Sequence, residues 1–345
     1  MVATQTQERA LKRADGVREL VKQRGLLDVL AALEELHSDG NSGPSVRLRT
    51  PYIRNSVMPY GDLWSQHAFP SFVEFDERRR PAERILPPLA RLLLSQGVAL
   101  EFHLVALFVA QAQARSGARW ENEIPITKRS NGIAWVDLMA VSAKSRTGGG
   151  RSSSYTANKT RQLRASLNLL SNHKLVDIGD PGVRNRYEGF KLLSEDAVSS
   201  AASSVEYRVP REHEAVINVP FQFFTRGWVY LLTKSEIAAY FMWLSLSAES
   251  EWVTGLWRQR AGLFGLSRDV HDTTQALAAY GLVDVLPSRE RRQNGTWRNF
   301  NAGDKPYGNK IRVNRRGLWR SAPKTVEGVL RKTAALGKWS RVVGE

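Results

Sequence analysis

LLSNHKLVDIGDPGVRNRYEGF (169–190) and LAAYGLVDVLPSRERRQNGTWRNF (277–300) follow one pattern. Each leaves a helical apolar period, passes through Leu-Val-Asp-Ile or Leu-Val-Asp-Val, and enters a turn dense in arginine. Counting back five, eight and twelve positions from Leu175 gives Leu170, Leu167 and Leu163; from Leu282 it gives Leu277, Thr274 and Val270. That spacing keeps three side chains on one face of a helix. The pattern predicts the same unit twice: an amphipathic helix, a strand, a basic hairpin and a return strand.

Outward from the phrase, the first helix is expected over 155–171, with Asn158, Arg161 and Gln162 opposite the leucines and Arg164 on the flank. Strand 175–178 then meets the turn Asp180-Pro181-Gly182, and Arg184, Arg186 and Tyr187 decorate the return strand YEGFKLL (187–193). In the second copy Ser267 caps a helix over 267–280, on which Arg268, Asp272 and Gln275 face away from the core and His271 joins them as a candidate. Its strand LVDVL leads into a long basic hairpin, Pro287 to Gly308, returning through NKIRVN (309–314). Upstream, a long helix is expected over 88–114, followed by the short apolar AWVDLMAVSA (134–143). The second copy has a helix capped by Thr233 or Ser235 and then LWRQRAGLFG (256–265).

Three helices and a two-stranded hairpin make the winged-helix form of helix-turn-helix. Its third helix enters the major groove and its hairpin lies along the backbone or minor groove. The expected fold class is mainly α with small β-hairpin wings: two winged-helix domains plus a helical N-terminal extension. Boundaries follow from composition. Residues 1–45 are extension and linker, and 46–87 an irregular aromatic and basic segment. Domain 1 spans 88–193 with a Gly/Ser-rich insert at 144–154. A connector at 194–210, expected to let the domains adjust their spacing, precedes domain 2 at 211–316. A basic tail fills 317–345.

Charge supports the same reading. The chain has 50 Lys+Arg against 34 Asp+Glu, a net +16. Residues 142–191 hold ten basic and three acidic side chains, and 288–345 hold fifteen and four, so the remainder is slightly acidic. Charge gathered at the two repeats points to a polyanion-binding surface; charge serving only solubility would be spread out.

Other chemistries lack their residues. With no cysteine there is no disulfide, thiol nucleophile or zinc–thiolate site, which fits a reducing cytosol. No apolar run approaches the ~20 residues of a membrane span, and the N-terminus lacks a signal peptide's apolar core. The six histidines are dispersed, no P-loop or nucleophile elbow occurs, and Asp269 and Asp272 fit helix-dipole placement better than metal binding. No enzyme activity, metal or cofactor is expected.

Two winged helices in one chain, a basic surface and no catalytic motif resemble the theta-type plasmid replication initiators, over about residues 88–316. The resemblance implies binding to repeated origin sites through both domains, with helices 155–171 and 267–280 as readers. It also implies dimers that act as repressors and host replication proteins as partners, in a bacterial cytosol or nucleoid and away from any membrane. The expected readers are Asn158, Arg161, Gln162, Arg164, Arg268, His271 and Gln275, because Arg, Asn and Gln pair with guanine or adenine edges. The expected wing contacts are Arg184, Arg186, Arg289, Arg291, Arg292, Arg298, Lys305 and Lys310, which would neutralise phosphates. Trp297 and Tyr307 either stack on the nucleic acid or anchor their own hairpin. A transcriptional regulator, a protein-interaction scaffold and an RNA-binding role stay open as alternatives.

Overall fold

The computed structural model describes residues 2–23, 25–39, 43–55, 86–128, 132–141, 154–195, 205–248, 250–255, 257–288 and 308–339. These residues are mainly helical, with three small antiparallel strand pairs. No helix among them is long and apolar enough to cross a membrane.

Two runs of elements repeat one order. The first comprises β1 (Ser45–Arg49), α1 (Thr50–Ile53), α2 (Pro88–Leu93), α3 (Ala99–Gln113), α4 (Tyr155–Asn172), β2 (Val176–Asp177) and β3 (Lys191–Leu192). The second comprises β4 (Val216–Pro220), α5 (Gln222–Thr225), α6 (Trp228–Leu231), α7 (Lys234–Leu246), α8 (Trp257–Gly262), α9 (Arg268–Asp272), α10 (Thr274–Tyr280), β5 (Val283–Leu286) and β6 (Lys310–Val313). Each begins with a strand and two short helices and continues into a long helix that is apolar all round. Such a helix must be buried all round, and α3 and α7 are. Thr233 and Glu236 form a reciprocal capping box at the start of α7.

The structure departs from the expected elements in the body of both repeats. The helix expected over 88–114 breaks between Leu94 and Val98, where Gly97 takes φ +82°. Among its described residues the first copy has no middle helix. Its place is taken by a turn in which Asp137 and Leu138 donate to the carbonyls of Ala134 and Trp135. In the second copy Val253 exchanges backbone hydrogen bonds with Ile311, lying beside β6 as a third strand would.

Strands β1 and β4, the leading strands of the two repeats, pair with each other, and Arg47 lies opposite Asn218. Gln111 completes this pair as a third strand would. Its Oε1 accepts from Arg47 N at 2.8 Å and its Nε2 donates to Arg47 O at 2.8 Å. Across the same region Phe108 of α3 stacks on Phe224 of α5 at 5.0 Å. The buried apolar residues form one continuous cluster through both repeats, so the repeats share a core.

The chain ends belong to that body. Helices α11 (Val2–Gln23) and α12 (Leu26–Asp39) precede β1, and α13 (Ala322–Leu336) follows β6. Helix α11 lays Ala10, Ala14, Val17 and Leu20 against α13, which presents Val326, Val329, Leu330 and Thr333. The rim is ionic: Arg18 meets Glu327 at 3.0 Å, and Arg331 reaches Asp15 at 3.2 Å. Arg13 of α11 also grips Glu236, the capping carboxylate of α7, with two hydrogen bonds of 2.5 and 2.6 Å. The expected N-terminal extension and basic tail are therefore one packed helix pair.

Nor is the connector loose where it is described. Ser194 and Glu195 are buried, Glu206 bridges Leu193, and Tyr207 and Val209 are buried. Arg49, at the end of β1, pairs with Glu195 at 2.6 Å and Glu214 at 2.8 Å, and donates to Arg208 O at 2.9 Å. One guanidinium ties the first leading strand to both ends of the connector.

Candidate nucleic-acid interface

The repeated phrase is a helix stop. In both copies a residue in the left-handed region follows the helix, Lys174 at φ +56° and Gly281 at φ +75°. The next leucine then turns its N–H back to the carbonyl five residues earlier: Leu175 to Leu170 and Leu282 to Leu277, each at 2.9 Å. This is the Schellman arrangement, which satisfies end carbonyls and aims the chain into a strand. A side chain at φ > 0 crowds its own backbone, so Lys174→Gly is expected to raise the unfolding free energy by about 0.5–1 kcal/mol. Denaturant melts of the two proteins check this, and a less stable glycine variant would refute it.

Ser154 caps α4 by accepting from Ala157 N at 3.1 Å, and Leu163, Ser166, Leu167 and Leu170 hold its inner face. Arg161, Arg164 and Ala165 are exposed, and Gln162 is half-buried. Asn158 is the exception to the expectation. It is buried, with Lys159 beside it, at the N-terminal end of α4, where Tyr155, Thr156 and Lys159 line a cavity shared with α12 and with Val136 and Asp137. Burial holds the Lys159 ammonium down at about 8, against the pull of Asp137. Asn158 instead accepts from Arg161 Nη2 at 2.9 Å, and so orients an arginine that reaches solvent.

The segment between β2 and β3 is not the expected return strand. It is a run of turns over 181–189, with Asn185 at φ +62° and only Lys191–Leu192 in strand. The backbone of Arg186 approaches Gly179 so closely that a Cβ there would sit 3.1 Å from Arg186 Cα. Tyr187 docks the turn on α4: its hydroxyl accepts from Asn168 Nδ2 at 2.9 Å. The guanidinium groups of Arg164 and Arg186 lie 5.8 and 5.1 Å from the Tyr187 ring centre. Arg184 is exposed further along the turn. No carboxylate of the described residues lies within ion-pair distance of Arg161, Arg164, Arg184 or Arg186. Helix and turn thus carry four arginines, with Arg161, Arg164 and Arg184 exposed and Arg186 half-buried, its Nη2 donating to Asn168 Oδ1 at 3.4 Å.

The second copy is built differently. The helix expected over 267–280 is two, α9 and α10, broken at Thr273. The Thr273 hydroxyl donates to Val270 O at 2.6 Å, and its N–H makes a tight 3.2 Å bond to the same carbonyl. Val270, Thr274 and Leu277 face inward, and Trp243 Nε1 donates to Thr274 Oγ1 at 3.0 Å. Arg268 and Gln275 are exposed as expected, but Arg268 lies 3.9 Å from Asp272, and exposed Asp269 stands beside it. His271 is partly covered by Trp243, with ring centres 5.7 Å apart. Lys310 is exposed at the start of β6, whereas Arg312, which no sequence pattern singled out, is held by Asp284 and Glu251 and lies over Trp252. Arg289, Arg291, Arg292, Arg298 and Lys305, with Trp297 and Tyr307, lie outside the described residues, as does nearly all of the 144–154 insert.

No known protein family, curated protein or solved structure matches the chain. Function therefore has to be read from the surface itself. Among the described residues no three His, Asp or Glu side chains converge as a metal site.

Proposed function

We propose that the chain is a sequence-reading, double-stranded DNA-binding protein of the plasmid replication-initiator type, with each repeat acting as a winged helix. The observation that carries this is the set of arginines on α4 and its docked turn, Arg161, Arg164, Arg184 and Arg186, none of which has a carboxylate partner among the described residues. Four like charges on one helix and its turn, without carboxylate partners, raise the local potential, and a row of phosphates relieves it. A helix braced from inside, with forked donors outside and a basic turn beside it, is what major-groove reading with a backbone contact demands.

The Schellman stops support equivalence of the two copies, and the β1–β4 pairing supports their acting as one body. Affinity for random duplex should fall steeply with salt, because each neutralised phosphate releases counterions. Four arginines engaged on the first copy alone imply a slope of log affinity on log salt of about −3.6. Anisotropy titrations over a range of salt measure it; a slope near zero would remove DNA binding as the function. A second reading, docking of a protein or a second copy, is favoured for the second repeat by the Arg268–Asp272 pairing, which leaves α9 with no net positive charge.

A further inference from the structure

Past β6 the chain makes a tight 3-10 turn, Arg315–Trp319, that neither repeat uses. Its inner side is locked. Gly317 lies so close to the α10–β5 junction that a Cβ would fall 2.2 Å from Gly281 O. Leu318 is fully buried, and its carbonyl accepts from Trp228 Nε1 at 3.0 Å. Asn314 N donates to Leu282 O at 2.9 Å on one side, and Ala322 N to Arg226 O at 3.1 Å on the other. The outer side is open. Trp319 is 63% exposed, more than any other large hydrophobic among the described residues. Arg315, Arg316 and Arg320 are exposed and have no carboxylate partner there. Side chains three apart superpose in a 3-10 turn, which puts Arg316 on the Trp319 side.

A tryptophan left in water on a rigid support is unusual, because burying it would yield so much. We infer that this turn is a stacking platform for an unpaired base of single-stranded nucleic acid, with Arg316 and Arg320 on the flanking phosphates. A lone ring offers a flat face. Duplexes hide their base faces in the stack and show only edges and backbone, whereas single strands expose them. A membrane surface fits less well, since the apolar neighbours Leu318, Ala322 and Pro323 are buried and leave no apolar face to insert. The inference rests on the chain being a nucleic-acid binder but uses a surface separate from the duplex-reading arginines.

Full-length protein is titrated with labelled oligothymidylate, with oligouridylate and with a random duplex, and also with anionic phosphatidylserine vesicles. Trp319→Ala should weaken single-strand binding by about 5- to 100-fold, Trp319→Phe should restore most of it, and duplex affinity should stay within about twofold. The two oligonucleotides show whether DNA, RNA or both are taken. Equal single-strand binding by Trp319→Ala and the parent would overturn the platform and leave duplex reading intact. A parent that binds no nucleic acid would overturn both. Vesicle binding lost in Trp319→Ala while strand binding is unchanged would reassign the ring to a membrane contact.

Discussion

Arg49→Ala is expected to lower the unfolding free energy by about 3–5 kcal/mol at pH 7, the cost of stranding a buried carboxylate without its partner. Glu195 is fully buried and Arg49 nearly so. Burial already pushes the Glu195 carboxyl above the usual range, and Arg49 is what opposes that rise. Without the guanidinium the folded-state pKa climbs further from the unfolded value. A carboxyl whose folded pKa is raised takes up a proton on folding. Its penalty is therefore full above the folded pKa, declines as pH falls through that value, and is gone only below the unfolded pKa. The deficit of the variant should shrink when the melts are repeated at about pH 5. Arg49→Met with Glu195→Met should recover much of the loss, because an apolar pair of similar volume needs no compensation. A single-variant deficit under about 1 kcal/mol, or one independent of pH, would show that water reaches Glu195. The consequence extends to function, since Arg49 joins β1 to both ends of the connector and so fixes one repeat against the other.

The sequence made the local features of the fold legible and left the distant pairings hidden, for a physical reason. Leu163, Leu167 and Leu170, and Val270, Thr274 and Leu277, face the core because a helix period imposes it on any buried helix. The Thr233–Glu236 box and the helix stops at Lys174 and Gly281 are likewise written within a few residues. By contrast, α11 and α13 stand at opposite ends of the chain, and each stripe needs the other to be buried. The β1–β4 pair also joins residues far apart in sequence, and SVRLR alone says nothing of VINVP. Asn158 is buried for a related reason: an ideal wheel sets it opposite the leucines, but elements distant in sequence gather at the start of α4. Charge and spacing point to the arginines of the proposed interface but not to their partners. Only the structure distinguishes Arg164 and Arg186 around Tyr187 from Arg268 beside Asp272.

That distinction sets the last expected result. Arg164→Ala and Arg186→Ala together should lower affinity for a selected duplex site by about 2–6 kcal/mol, from about 1–3 kcal/mol per arginine contact. Arg268→Ala should change it by less than about threefold, since an exposed i,i+4 pair with Asp272 already occupies that guanidinium at little net energy. The sign also follows from charge: exposed Asp269 and Asp272 beside Arg268 would repel the phosphates that the α4 arginines are proposed to attract. Asp272→Ala should therefore strengthen binding modestly, with Arg268 freed to reach the backbone. Footprinting of a monomeric preparation on the selected site gives the matching geometry. Two readers on one face of the duplex must fall about 10–10.5 base pairs apart, and the block assigned to the first repeat should be the one lost in the double variant. Loss of the other block, or a larger effect from Arg268→Ala than from the pair on α4, would make the second repeat the principal reader. The first would then be left with a docking or positioning role.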